Sequence, residues 1–175
     1  MTMHKSLSVY YSRRGYNYVN GSIVNLPVGN TEIIAKKIQG LTGSDLFQIE
    51  TVKPYPEDYT ETTEVSKIEL RQNARPELTE TVADLDSYEV IYLGYPNWWG
   101  TMPMAVFTFL ESYDFSGKTI VPYCTHEGSG LGSSERDIKR LCPTAQVLPG
   151  LAIKGSTVAR ADNDVVNWLK RLGLI

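Results

Sequence analysis

Asn30-Thr31 follows a glycine and opens a stretch in which Ile34, Ile38 and Leu41 recur at helical spacing. A helix start of this kind offers free backbone N–H groups and the positive end of the helix dipole, which together attract an anion such as phosphate. Ser12 and Thr31 add hydroxyl donors. Asn30 and Thr31 also read as plain helix caps, and Arg13 and Arg14 as either phosphate partners or solvated cations. Farther along, Pro96-Asn97-Trp98-Trp99-Gly100 places two adjacent tryptophans in a loop. Leaving both in water is costly, and both cannot easily face one core. A flat aromatic ligand explains the pair; the plainer alternative packs one under the loop and sets the other at an edge or against a partner chain. The third candidate is Thr125-His126-Glu127-Gly128-Ser129-Gly130, whose glycines let backbone approach a ligand closely. His126 and Glu127 suit acid–base chemistry, but a backbone-mediated contact with both side chains facing solvent is the simpler expectation.

These three segments fall at matching places in a repeating pattern. Short apolar, β-branched runs alternate with longer helical patterns along the chain. The strand runs are 7–11, 46–50, 90–95, 119–124 and a last one within 145–153, interrupted by Pro149-Gly150. The helices follow at 30 to about 43, about 58–73, 103–110, about 132–141 and about 162–172, with Gly40 or Gly43 ending the first. Strict β–α alternation implies α/β architecture: a parallel sheet with helices on both faces and right-handed crossovers. The nearly all-apolar run 90–95 is what a strand buried on both faces needs. In such open sheets a ligand binds beyond the carboxyl ends of the strands, at the switch in strand order. The loops after the first, third and fourth strands are therefore the ones that matter, and they are the three above.

Composition narrows the classes further. The chain has 175 residues and fits one domain, 42% hydrophobic and 21% charged, with a net charge of −3. That charge argues against nucleic acid as a partner, which calls for a basic stripe. Cys124 and Cys142 show no metal spacing and read as two free thiols. Met1 to Ser6 has no apolar leader, and no run approaches the roughly 18 apolar residues of a membrane span, so a soluble, cytoplasmic protein is expected. Gly128, Gly130 and Gly132 do not make a dinucleotide fingerprint, because that motif follows the first strand.

Tyr11-Ser12-Arg13, Gly29-Asn30-Thr31, Gly94-Tyr95-Pro96-Asn97-Trp98-Trp99-Gly100 and Thr125 to Gly130, each after its proper strand, resemble the flavodoxin-like family. That group includes flavodoxins and related flavin-dependent reductases. The resemblance spans nearly the whole chain. It implies a three-layer doubly wound sandwich with a five-stranded parallel sheet in the order 2-1-3-4-5, and flavin mononucleotide (FMN) as cofactor. Ser12, Arg13, Asn30 and Thr31 are then the phosphate end. Pro96, Asn97, Trp98, Trp99 and Gly100 border the isoalloxazine ring, and Thr125, His126, Glu127, Gly128, Ser129 and Gly130 line its other side and the ribityl chain. The implied function is electron carriage between redox partners, with an NAD(P)H-dependent reductase of quinones or similar small acceptors as the alternative, and a binding module that has lost its cofactor as a third. Glu57, Asp58, Glu61 and Glu64 either steer a basic partner or form a solvated face. The chain departs from the family between Ser12 and Thr31, which residues 13–30 hold apart. A loop this long inside a domain is usually functional or disordered. Its aliphatic content favours order, so it is expected to fold over the cofactor or a partner surface.

Overall fold

Ser6–Tyr10 is buried at every position, as a central strand covered on both faces must be. In the computed structural model, which describes residues 5–175, this strand (β1) pairs in parallel with β4 (Asp45–Gln48) on one side and β5 (Val90–Pro96) on the other. β5 pairs in turn with β6 (Thr119–His126), giving the order β4-β1-β5-β6. The outer edge of β6 carries two short strands, β7 (Gln146–Val147) and β8 (Leu151–Lys154). They are the two halves of the expected fifth strand, split where Pro149-Gly150 interrupts it. The order 2-1-3-4-5 is therefore observed, with a broken last strand. Met1 to His4 lie outside the described residues, and with them most of the segment read as lacking a leader and the start of the expected 1–175 domain.

The helices cover both faces. On one, α1 (Asn30–Thr42) and α5 (Asp162–Arg171) bury Ile34, Ala35, Ile38, Val165, Trp168 and Leu169 against β1, β5 and β6. On the other, α3 (Met104–Glu111) and α4 (Ser134–Leu141) bury Phe107, Phe109, Leu110 and Ile138. The mostly polar α2 (Tyr59–Arg71) lies on this second face and is capped by Asp58, whose carboxylate accepts the Glu61 N–H at 2.9 Å. Gly43, in the left-handed conformation, ends α1. No helix among the described residues is long and apolar enough to cross a membrane.

The segment after β1 is a β-hairpin rather than an extended loop. β2 (Gly15–Val19) and β3 (Ser22–Leu26) pair antiparallel, with Val19 opposite Ser22. Asn20 (φ 51°) and Gly21 (φ 87°) form the connection. Two left-handed residues in a two-residue turn are the type I′ signature, which the Asn-Gly dipeptide favours.

Candidate functional site

Gly29, not Asn30 or Thr31, occupies the capping position of α1. The side-chain cap comes from outside the helix: the Ser12 hydroxyl accepts the Glu32 N–H at 3.0 Å. A side chain at Gly29 would press within 2.1 Å of that hydroxyl and 2.8 Å of the Arg13 carbonyl oxygen, so only glycine fits where the end of β1 meets α1. This arrangement corrects the capping expectation and leaves the site open. The amides of Asn30 and Thr31 are in the first turn, where no preceding carbonyl can meet them. The Ser12 O–H still has a proton to donate. Thr31 Oγ1 lies 2.8 Å from Thr125 Oγ1, which ties the helix start to the end of β6.

The tryptophan loop is a two-residue turn. Trp98 and Thr101 exchange backbone hydrogen bonds, N–H to O at 2.8 Å and 3.3 Å. Trp99 (φ 57°) and Gly100 (φ 87°) are both left-handed. A bulky residue in this region is strained by about 1–2 kcal/mol, and such strain concentrates at functional sites. The packing alternative is seen for both tryptophans, and both also border the cavity. Trp98 packs edge-on against Tyr11 and Tyr55, each with ring centroids 5.2 Å away, and it also lines the cavity. Trp99 is half exposed at the rim, and its indole N–H points to the Thr63 carbonyl and the Ser66 hydroxyl, each at 3.1 Å.

Asn97 joins this loop to the one after β6. Its Nδ2 donates to the Gly130 carbonyl and its Oδ1 accepts the Gly100 N–H, each at 2.9 Å. The Gly100 carbonyl accepts the Ser133 N–H at 2.8 Å. His126 Nδ1 accepts the Gly128 N–H at 2.9 Å, so this imidazole turns back onto its own loop. Burial lowers its pKa from 6.5, as does Lys154, while Glu127 opposes the shift. Cys124 and Cys142 are free and buried, with thiol pKa values pushed by burial to about 12 and about 11. They stay protonated and unreactive at neutral pH. No cluster of His, Cys, Asp and Glu among the described residues can hold a metal ion.

Arg13 is assigned differently from either expectation. Its guanidinium donates to the Pro56 carbonyl at 3.0 Å, the Glu57 carbonyl at 2.9 Å and Thr62 Oγ1 at 3.1 Å, and also to the Tyr16 carbonyl. It therefore fastens the base of the hairpin to the start of α2. Asn17 Nδ2 donates to the Arg13 and Gly15 carbonyls at 2.8 Å and 3.2 Å. Tyr18 stacks on Tyr59 with centroids 6.2 Å apart. At the hairpin tip, the Asn20 N–H reaches Glu127 Oε1 at 3.3 Å.

Together these groups surround one cavity of about 450 Å³ beyond the carboxyl ends of β1, β5 and β6. It is lined by Arg13, Asn30, Thr31, Pro96, Asn97, Trp98, Trp99, Gly100, Thr125, His126, Glu127 and Ser129, all expected from the sequence. Ser12, Gly128 and Gly130 lie just outside the lining and act through the contacts above. The lining also holds residues the sequence did not single out: Asn17 and Tyr18 from the hairpin, Tyr59, Thr62, Thr63 and Ser66 from α2, and Gly155 after β8. The Asn20-Gly21 turn between Tyr16-Asn17-Tyr18 and Ile23-Val24 was a readable hairpin signal. The α2 wall had none, because apart from Tyr59 its cavity-facing residues, Thr62, Thr63 and Ser66, are small and polar like its solvent face.

The family model for flavodoxin matches residues 23–172, and the chain belongs to this family. The match begins inside the hairpin, at its second strand. Among solved structures, a candidate flavoprotein from Bacteroides eggerthii DSM 20697 is 26% identical, with a TM-score of 0.79 over 97% of this chain and 98% of its own. One from Bacteroides uniformis ATCC 8492 is 25% identical, with a TM-score of 0.75 over 97% and 99%. A flavoprotein from Lactobacillus acidophilus NCFM, solved in complex with FMN, shares the fold at 20% identity, with a TM-score of 0.66 over 90% and 97%. No curated protein matches the chain.

Proposed function

We propose that the chain binds FMN in this cavity and carries electrons between redox partners. The observation that carries this reading is the meeting, in one 450 Å³ space, of the α1 N-terminus, the Trp98 side chain and the strained Trp99-Gly100 turn. Helix amides suit a phosphate, and aromatic walls suit a flat ring. The volume is within the range of about 300–1,000 Å³ for a single small-ligand site. The buried second carboxylate oxygen of Glu127, which has no hydrogen-bond partner, also fits a ligand rich in donors. The amides of Asn30 and Thr31 with the Ser12 hydroxyl would hold the phosphate. The loop from Thr125 to Gly130 would flank the ribityl chain, and Pro96 to Gly100 would border the ring. When bound, the flavin supplies the reversible electron transfer; the protein binds and orients it.

Electrons would pass at the Trp99 rim. Glu57, Asp58, Glu61 and Glu64 are exposed at the end of α2 beside Tyr59 and would steer a basic partner. The same reading places the protein in the cytoplasm, where free thiols persist. A second reading, the NAD(P)H-dependent reductase of quinones or similar small acceptors, draws on a neighbouring cleft of about 410 Å³. This cleft shares Trp99 and carries Arg136 and Arg140, cations suited to a phosphate-bearing donor.

The test is anaerobic. FMN-loaded protein is photoreduced and mixed with cytochrome c as a one-electron probe, and in parallel NADPH consumption is followed with a quinone. Rapid reduction of cytochrome c with negligible NADPH turnover supports the carrier. Steady NADPH turnover transfers the assignment to the reductase.

A further inference from the structure

The stretch from Gly15 to Gly29 carries no Lys, Arg, Asp or Glu, although the chain holds 17 basic and 20 acidic residues. Exposed apolar surface gathers in the same place. Tyr16, Tyr18, Ile23 and Val28 are four of the nine large hydrophobic side chains exposed among the described residues. Exposed apolar surface that is contiguous in this way marks an interaction site.

The backbone there is open as well. The hairpin is a two-stranded sheet of its own, so the outer edge of each strand has no partner strand. In a two-residue hairpin the residues flanking the turn, here Val19 and Ser22, exchange both bonds, and bonded pairs alternate from there. Ser22, Val24 and Leu26 therefore bond inward to β2, while Ile23 and Asn25 turn their N–H and C=O groups outward. β2 lies toward α2, where Tyr18 stacks on Tyr59. β3 is the free edge, and its Ser22, Ile23 and Asn25 are exposed. No lysine guards it; Pro27, which has no N–H, only ends the row.

This edge is complementary to itself. Two copies of β3 related by a two-fold axis run antiparallel. With the axis at Val24, Ile23 of each copy faces Asn25 of the other. Both are outward residues, so each such pair exchanges both its N–H···O bonds. The strip is uncharged, so identical copies meet without like-charge repulsion, and nothing on it selects a charged partner of another kind. We propose that β3 pairs antiparallel with β3 of a second copy of this chain, Ile23 opposite Asn25, and joins the two hairpins into one continuous sheet. Asn17 and Tyr18 of the same hairpin line the cavity, so the pairing also steadies one cavity wall. It requires no ligand and stands apart from the FMN reading.

The experiment has two arms. Sedimentation velocity is run on wild type, Asn25→Pro and Ile23→Lys over a concentration series, with folding checked by circular dichroism. An interface this small, below about 1,200 Å², gives a weak dimer, so the wild-type mass should climb toward twice that of one chain as concentration rises. Asn25→Pro removes an outward donor that the hairpin itself does not use, and Ile23→Lys sets like charges across the seam. Each should weaken dimerisation about 10–100-fold. In the second arm, Val24→Cys and Ser22→Cys are mildly oxidised and resolved without reductant. Cys124 and Cys142 are buried and give no background. Val24→Cys should crosslink to its own copy, because facing residues of this non-bonded kind have Cα atoms about 4.5 Å apart. Ser22→Cys should not, because it faces Leu26 of the second copy and the two Ser22 positions lie about 13 Å apart along the strands. Wild type that stays monomeric at every concentration overturns the proposal. So does a dimer that folded Asn25→Pro and Ile23→Lys leave equally strong, which puts the interface elsewhere. Equal crosslinking by the two cysteine variants also overturns it, because the contact then has no register.

Discussion

Two sides of the cavity are built by different means. The side formed by the loops after β5 and β6 is anchored on strand ends and cross-linked: Asn97 to Gly130 and Gly100, Thr31 to Thr125, Ser133 to Gly100. The hairpin side is carried by neither the sheet nor its core. It meets the rest of the protein through Arg13 at its base, the Tyr18–Tyr59 stack along its length and the Asn20–Glu127 bond at its tip. Tyr16, Tyr18 and Ile23 on it are each more than two-fifths exposed. The first side is bound to the global stability of the fold. The second is able to open locally at lower cost, because few buried apolar contacts hold it. The difference separates a half cross-linked through strand ends from a half held by a few surface contacts.

The comparison breaks most readily at Trp98. Removing a large aromatic from a core contact costs about 3–5 kcal/mol. Trp98→Ala, which loses the contacts with Tyr11 and Tyr55, is expected near the low end because the side chain is only partly buried. Urea unfolding showing less than about 1 kcal/mol would mean the tryptophan turn is not part of the rigid side. Gly29→Ala comes next, at about 1–3 kcal/mol, since its methyl would collide with the Ser12 hydroxyl and the Arg13 carbonyl. It should also weaken FMN binding in a calorimetric titration more than riboflavin binding, because it disturbs the phosphate end.

The hairpin side should respond differently. Arg13→Ala removes the bonds to Pro56, Glu57 and Thr62, worth about 1–2 kcal/mol in total at this half-buried position. The expected signature is faster hydrogen exchange across residues 15–26 with the amides of β1 and β5 unchanged. Uniform acceleration through the sheet would erase the distinction between the two sides. Tyr18→Ala is smaller, about 0.5–1.5 kcal/mol for the lost aromatic pair, and should appear in the same hairpin amides.

His126 sharpens the picture with pH. Its pKa is lowered in the folded protein, so the unfolded chain takes up the proton first as pH drops below about 6.5. The folded state is fully favoured above that value and loses stability as pH falls through the window down to the folded pKa. Protonation also removes the Nδ1 acceptor for Gly128. Wild type should lose stability and FMN affinity between pH 7 and pH 5 more steeply than His126→Asn; matching slopes would remove His126 from the loop's support.

What could be read in advance follows the same division. The sheet order, the helix positions and the three loops were legible because buried parallel strands such as 90–95 leave an unbroken apolar signature, and because ligand sites in open sheets fall at strand ends. Asn30 and Thr31 were placed correctly at the helix start, but the cap was not. Ser12 reaches Glu32 across 20 positions in sequence, and nothing local encodes such a contact. The hairpin was half legible. Asn20-Gly21 between Tyr16-Asn17-Tyr18 and Ile23-Val24 carried a turn signal, yet its alternating pattern faces a ligand space rather than a core and mimics an ordered loop. Arg13 looked like a phosphate ligand because an arginine beside a helix N-terminus usually invites that reading. The partners it has here are the nearby Tyr16 carbonyl and, more than 40 positions away, the Pro56 and Glu57 carbonyls and Thr62 Oγ1.

Both sides of the cavity together should hold one FMN. Apo-protein titrated with FMN, followed by calorimetry and by the visible flavin bands, should saturate at one FMN per chain with shifted bands and quenched fluorescence. A chain in which residues 16–25 are replaced by a short glycine linker should keep its fold and the same stoichiometry with weaker binding. Wild-type protein that leaves the flavin spectrum and heat signal unchanged would contradict the account outright.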